Sequence, residues 1–242
     1  ILHKNLMMNN STLAPSASHS AEKRLSFPIF LLILYMVFTY CSLIYSFLPF
    51  LGVIRVVLLA GIALLVSYMM SASNYTNPKA YQNPIVLAWI GFLGSMVMSL
   101  LVSYDRGLTL QILEGSFKHF LVFMVAIKII DTERRLDLFI GVFAGSSILM
   151  ASNTILNYFV FGSTYDSSFR GMGVEAGIFA DPNDLALLFN TSVPLLLYFL
   201  FERKRKLISL AGLLLVLTAV MLTYSRGGFV GLCAVGAGFF LL

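Results

Sequence analysis

Charge is what this sequence has least of. Only 11% of its 242 residues are Asp, Glu, Lys or Arg, against about a quarter in an ordinary soluble domain. That shortfall runs along most of the chain, so the sequence reads as a polytopic membrane protein rather than a soluble core. Cysteine is nearly absent too. Cys41 and Cys233 each sit inside an apolar run, where they read as small packing residues and offer neither a disulfide framework nor a metal-ligand set. There is no P-loop, Rossmann glycine fingerprint, HExxH or CxxC pair, which removes the chemistries that depend on those motifs. The net charge of +5 is no nucleic-acid signal, because no basic face is interleaved with exposed aromatics. No cleavable signal peptide is evident, since the first apolar run is too long for one and lacks a small-residue cleavage site after it.

What is present is apolar surface. Hydrophobic residues make up 59% of the chain, including 21 Phe and 11 Tyr, and the mean hydropathy is +0.89. A bilayer core takes about 20 mostly apolar residues per helix. Candidate spans are Pro28–Phe50, Ile54–Met70, Pro84–Ser103, Leu108–Ile130, Leu136–Phe161, Asp184–Phe201, Leu207–Thr223 and Phe229 onward. The expected fold is an all-α transmembrane bundle over 27–242, with about seven complete spans and the start of an eighth, preceded by a disordered cytoplasmic tail over 1–26. The chain begins ILHKNLM and stops inside VGLCAVGAGFFLL, so it is expected to be a fragment whose start is Met8. With the N-terminus cytoplasmic, only Arg55, Arg106, Lys118, Arg170 and Arg226 of the sixteen Lys and Arg residues fall on or near the outer side. The positive-inside rule therefore favours that orientation.

The fourth span is polar. Gln111, Glu114 and Lys118 share one helix face, so its first part either lies in the outer interface or spans with its stripe turned into the bundle. The longest polar connection on the outer side runs from about 162 to 181, GSTYDSSFRGMGVEAGIFAD. At its end Asp181 suits a helix N-cap, Pro182 the first helical position and Asp184 the third, so DPND is first a helix start. Asn183 is not needed for that. Two arginines stand beside glycines on this side, Arg170 in FRGMG and Arg226 in YSRGG. Glycine lets backbone approach a ligand closely, and a guanidinium offers a planar fork that fits phosphate oxygens. An interfacial arginine also snorkels to phospholipid phosphates with no further role.

FRGMG, IFADPNDLALLF and, after a basic loop, LTYSRGGFVGL resemble the membrane core of the O-antigen ligase and O-antigen polymerase (Wzy-C) superfamily. The specific part covers about Arg170 to Leu232. The resemblance implies a GT-C-like membrane glycosyltransferase in the bacterial inner membrane, with its active site on the periplasmic face. It implies transfer of an undecaprenyl-pyrophosphate-linked glycan to lipid A-core or a growing polysaccharide, with no metal or other cofactor and no nucleic acid. Arg170 and Arg226 match the arginines that hold the donor pyrophosphate. Asn183 is then expected to contact sugar or phosphate through its amide, Asp181 either caps the helix or holds an arginine, and Ser225 joins them as a substrate contact. The family's catalytic His lies in a later periplasmic loop; His3, His19 and His119 do not match it, so the general base is expected beyond Leu242. Two other readings stand beside this one, a secondary transporter or flippase of polysaccharide precursors and a non-catalytic membrane subunit. The Gln111/Glu114/Lys118 stripe is the only hint of a carrier.

Overall fold

The computed structural model describes residues 26–41, 43–72, 75, 81–162, 169–171, 173, 179–202 and 206–241. The expected tail, including His3 and His19, and the basic residues Arg203, Lys204 and Arg205 lie outside them. Among the described residues the fold is all-α: α1 Phe27–Tyr40, α2 Leu43–Phe47, α3 Phe50–Val53, α4 Val56–Met70, α5 Pro84–Val102, α6 Arg106–Ile129, α7 Glu133–Leu156, α8 Pro182–Glu202, α9 Lys206–Leu222 and α10 Arg226–Leu241. A single π turn, Asn157–Phe161, extends α7. Three helical stretches are long and apolar enough to cross a membrane, Pro84–Val102, Glu133–Phe161 and Pro182–Phe201; α1, α4, α9 and α10 are shorter apolar helices.

Helix starts follow from the side chains that precede them. The first turn of a helix has free N–H groups that need acceptors. Asn83 Oδ1 accepts from the Ile85 N–H at 3.0 Å to open α5, and Asp105 Oδ1 accepts from the Leu108 N–H at 2.9 Å to open α6. The expected span Pro28–Phe50 is not one helix. Its backbone leaves the helical region at Cys41 (φ −101°, ψ 70°), and helix restarts only as the short α2 and α3. Pro49, which lacks an N–H, sits at the head of α3. The Tyr45 hydroxyl donates to the Phe38 carbonyl at 2.9 Å, satisfying part of the end of α1. Arg55, in left-handed conformation (φ 51°, ψ 50°), separates α3 from α4. The fourth expected span is one continuous helix, α6, and its stripe is exposed, with Lys118 at the edge of a cavity against α1, α3 and α4. Gln111 is exposed, and the Lys118–Glu114 ion pair, 2.5 Å long, has its side chains 51% and 64% exposed. That pairing lets both charges stay solvated, which costs less than turning them into the bundle.

Two apolar clusters organise the packing. One joins α7, α8 and α9 through Met150, Leu185, Phe189, Leu196 and Val216. The other joins α1, α4 and α6 through Leu32, Leu64 and Ile129. α1 packs on both α4 and α7 and so links the two. α5 lies outside them. Its contact with α6 runs through Trp89 on Phe120 and Phe123, and Val86 is its one buried residue. Small residues set the closest approaches, as expected where lipid offers no hydrophobic drive between helices. A Cβ on Gly212 of α9 would stand 2.5 Å from Ile148 Cδ1 and 2.9 Å from its Cγ1 on α7, whereas Gly236 of α10 has open space around it. Gly212→Val should therefore destabilise the protein by about 1–3 kcal/mol, the usual range for overpacking, while Gly236→Val should leave it within about 0.5 kcal/mol. Unfolding in mixed micelles followed by circular dichroism checks the pair; equal effects would contradict the α7–α9 contact.

Candidate functional site

The DPND stretch folds as its residue types require. Asp181 Oδ1 accepts from the Asn183 N–H at 2.7 Å, and the Asp181 carbonyl accepts from the Leu185 N–H at 3.0 Å. Asp181 is thus the cap of α8, and no described contact joins it to an arginine. Pro182 is buried at the first helical position, while Asp184 is exposed in the first turn, where its charge complements the helix dipole.

TYSRGG forms the turn from α9 to α10. The Thr223 N–H is shared between the Ala219 and Val220 carbonyls, both at 3.2 Å. Tyr224 then takes a left-handed conformation, φ 47°. Ser225 caps α10: its Oγ accepts from the Gly228 N–H at 3.0 Å and its carbonyl from the Phe229 N–H at 2.9 Å. The second glycine of the pair serves packing. A Cβ on Gly228 would lie 2.6 Å from the Ala186 Cβ of α8, and one on Gly231 would lie 2.7 Å from Asn190 Nδ2. Asn190 Nδ2 uses that proximity to donate to the Gly228 carbonyl at 2.7 Å. α8 and α10 therefore meet backbone to backbone at their N-terminal ends.

The loop bearing Arg170 is pinned onto the same end. The Gly171 N–H donates to the Leu222 carbonyl at 2.6 Å, and a Cβ there would stand 3.0 Å from that oxygen and 3.2 Å from Thr154 Cγ2 of α7. Arg170 Nε donates to the Thr223 carbonyl at 3.0 Å, and Nη2 donates to Asn183 Oδ1 at 2.9 Å. The same Asn183 oxygen accepts from Ser225 Oγ at 2.9 Å. One amide oxygen thereby ties together the loop, the head of α8 and the head of α10. Of the five N–H donors on a guanidinium, Arg170 spends two in these bonds and keeps three. The Asn183 amide nitrogen is on an exposed residue and makes no hydrogen bond among the described residues.

Arg226 occupies the first position of α10, next to Ser225. It is exposed and makes no hydrogen bond or ion pair among the described residues. The two arginines thus stand at one end of the bundle in different states, Arg170 braced and half-buried, Arg226 unengaged. Two helix N-termini, each equivalent to about half a positive charge, open beside them. Asp181 and Asp184 supply the opposing charge.

Sequence reasoning placed Arg170, Asn183, Ser225 and Arg226 on one side, and the structure gathers them at one end. It assigns the glycines differently. Gly171 and Gly228 make room for protein, and only Gly227 has open space where a ligand could approach. Asn183 was expected to reach outward through its amide, yet its oxygen is already taken by Arg170 and Ser225. Two contributors went unnoticed: Asn190, an amide within an apolar helix, and the Thr223 carbonyl, which no sequence signal marks. No protein-family model matches this chain, and comparison with curated proteins and with solved structures finds no match.

Asn183→Ala should cost about 1 kcal/mol, a typical net value for lost hydrogen bonds, and Ser225→Ala about 1 kcal/mol through the lost cap. Because both share one oxygen, the double variant should cost less than the sum by roughly 0.5 kcal/mol or more. Chemical unfolding in a double-mutant cycle measures this; strict additivity would contradict the shared acceptor.

Proposed function

We propose that this chain is the membrane core of an O-antigen ligase- or polymerase-like glycosyltransferase. It moves a glycan from an undecaprenyl-pyrophosphate carrier to lipid A-core or to a growing polysaccharide. The reading includes a polytopic bundle of about seven spans in the bacterial inner membrane, with a cytoplasmic N-terminus and a periplasmic site. The observation that carries it is the Arg170–Asn183–Ser225 network. It joins the three sequence elements on which the resemblance rests, and it leaves Arg226 unengaged beside them.

The chemistry suits these residues. The acceptor hydroxyl oxygen attacks the anomeric carbon, the bond from that carbon to the phosphate oxygen breaks, and its electron pair leaves with the pyrophosphate. Negative charge grows on the leaving group, so guanidiniums already fixed in place stabilise the transition state more than the ground state. Arg170, held by Thr223 and Asn183, is the preorganised donor; Arg226 closes on the ligand from the head of α10. The N–H groups at the two helix starts add to the anion-binding character. A general base takes the acceptor proton; by the resemblance it belongs to a periplasmic loop.

The test is glycan transfer by the complete chain in detergent or liposomes. Arg226→Ala should lower kcat by about 10²–10³-fold, the usual effect of losing one oxyanion-site donor, with an unchanged melting temperature because Arg226 makes no hydrogen bond or ion pair among the described residues. Arg170→Ala should lower both activity and stability. Full transfer by Arg226→Ala would overturn the assignment.

A further inference from the structure

A second site lies in the other half of the bundle. A cavity of about 630 Å³ opens between α1, α3, α4 and α6, within the size range of small-molecule pockets. Its walls are mostly apolar, but polar side chains also line it, among them Thr39, Arg55, Lys118 and His119. None belongs to the Arg170 network.

Each of these groups is set up in an unusual way. Thr39 is 5% exposed, and its Oγ1 has no hydrogen-bond partner among the described residues. The Tyr35 hydroxyl is close enough to interact with Thr39, though not in the geometry of a full hydrogen bond. Helix hydroxyls elsewhere in the chain donate back to a preceding-turn carbonyl, as Ser147, Ser152, Thr154 and Thr218 do. Thr39 does not, so its hydroxyl is buried beside the cavity without an acceptor, a costly state for a polar group. Arg55 adopts left-handed backbone at φ 51°, which costs a residue with a Cβ about 1–2 kcal/mol. Strain of this kind, when observed, points toward function. Its guanidinium makes no hydrogen bond or ion pair among the described residues. His119 Nδ1 lies 2.8 Å from the Gly115 carbonyl. A carbonyl only accepts, so Nδ1 carries the proton and Nε2 is left for another partner. Lys118 is paired with Glu114, which also lies within electrostatic reach of Arg55, so two cations face one carboxylate at the mouth.

An apolar cavity with a cationic mouth, in a chain with helices long enough to cross a bilayer, matches one chemistry. We propose that this cavity binds a single phosphate-bearing lipid, with hydrocarbon in the pocket and the phosphate held by Arg55 with Lys118. A phosphate ester supplies acceptors for the Arg55 fork and the Lys118 ammonium. The site adjoins the Arg170 end: Tyr40, the next residue after Thr39, stacks on Phe179 with ring centroids 6.1 Å apart, two residues before Asp181. The proposal does not rest on the glycosyltransferase reading.

Native mass spectrometry of the purified full chain tests it with four probes: farnesyl phosphate, farnesol, dioleoyl phosphatidic acid and dioleoylglycerol. At least one phosphate lipid should be retained about tenfold more than its uncharged counterpart, equivalent to about 1.4 kcal/mol; which one identifies the chain as prenyl or acyl. Arg55→Asn combined with Lys118→Gln should abolish that preference, asparagine being tolerant of left-handed backbone. Gly115→Leu should reduce retention by filling the cavity, since a Cβ at Gly115 meets open space and the melting temperature should hold. Equal retention of charged and uncharged lipids, or indifference to both cavity variants, would overturn the proposal.

Discussion

A single amide oxygen holds this architecture together where it matters. Asn183 Oδ1 accepts from Arg170 and from Ser225 at the same 2.9 Å, and in doing so fixes three chain segments that are far apart in sequence. The constraint is geometric as much as energetic. α8 and α10 come together because Ala186 and Asn190 face Gly228 and Gly231, and the loop reaches them because Gly171 lies flat against the end of α9. Remove any of these small residues and the polar groups no longer meet. The energy in each bond is modest, but the arrangement converts four separate elements into one preorganised surface.

Preorganisation also explains why two arginines so similar in sequence differ in the fold. Among the described residues, Arg170 is anchored by Thr223 and Asn183 with three donors left over, and Arg226, at the first position of α10, makes no hydrogen bond. A diphosphate has oxygens enough for both. A rigid guanidinium and an adaptable one suit a ligand that must arrive and leave through the bilayer while its tail remains in lipid. The cavity lined by Thr39 and Arg55 follows the same logic with fewer charges and more apolar wall, and it lies on the far side of the Tyr40–Phe179 stack. The two sites belong to different halves of the bundle, linked through α1.

Helix content was legible from the apolar runs, since length and composition constrain helices strongly, and the starts of α5, α6 and α8 were written in Asn83, Asp105 and Asp181. The break in the first run was not. Cys41 carries no helix-stopping signal, and the end of α1 depends on Tyr45 reaching back to Phe38. The exposure of the α6 stripe was also open in sequence, because helical periodicity fixes which residues share a face but not which way the face points. At the site, the residues were legible and their relations were not. Asp181 as a cap follows from local rules. Asn183 as a common acceptor depends on a residue 42 positions away, and Gly228 as a helix contact depends on Ala186. Distances of that kind arise from tertiary packing alone.

The most direct measurement is an experimental structure of the complete protein in lipid nanodiscs with a prenyl pyrophosphate bound. The diphosphate should sit between Arg170 and Arg226, within hydrogen-bond distance of both guanidiniums, with the Arg170–Asn183 bond still in place. A diphosphate seated away from both arginines, or an Arg170 that releases Asn183 to reach it, would contradict the claim that this network preorganises an anion site.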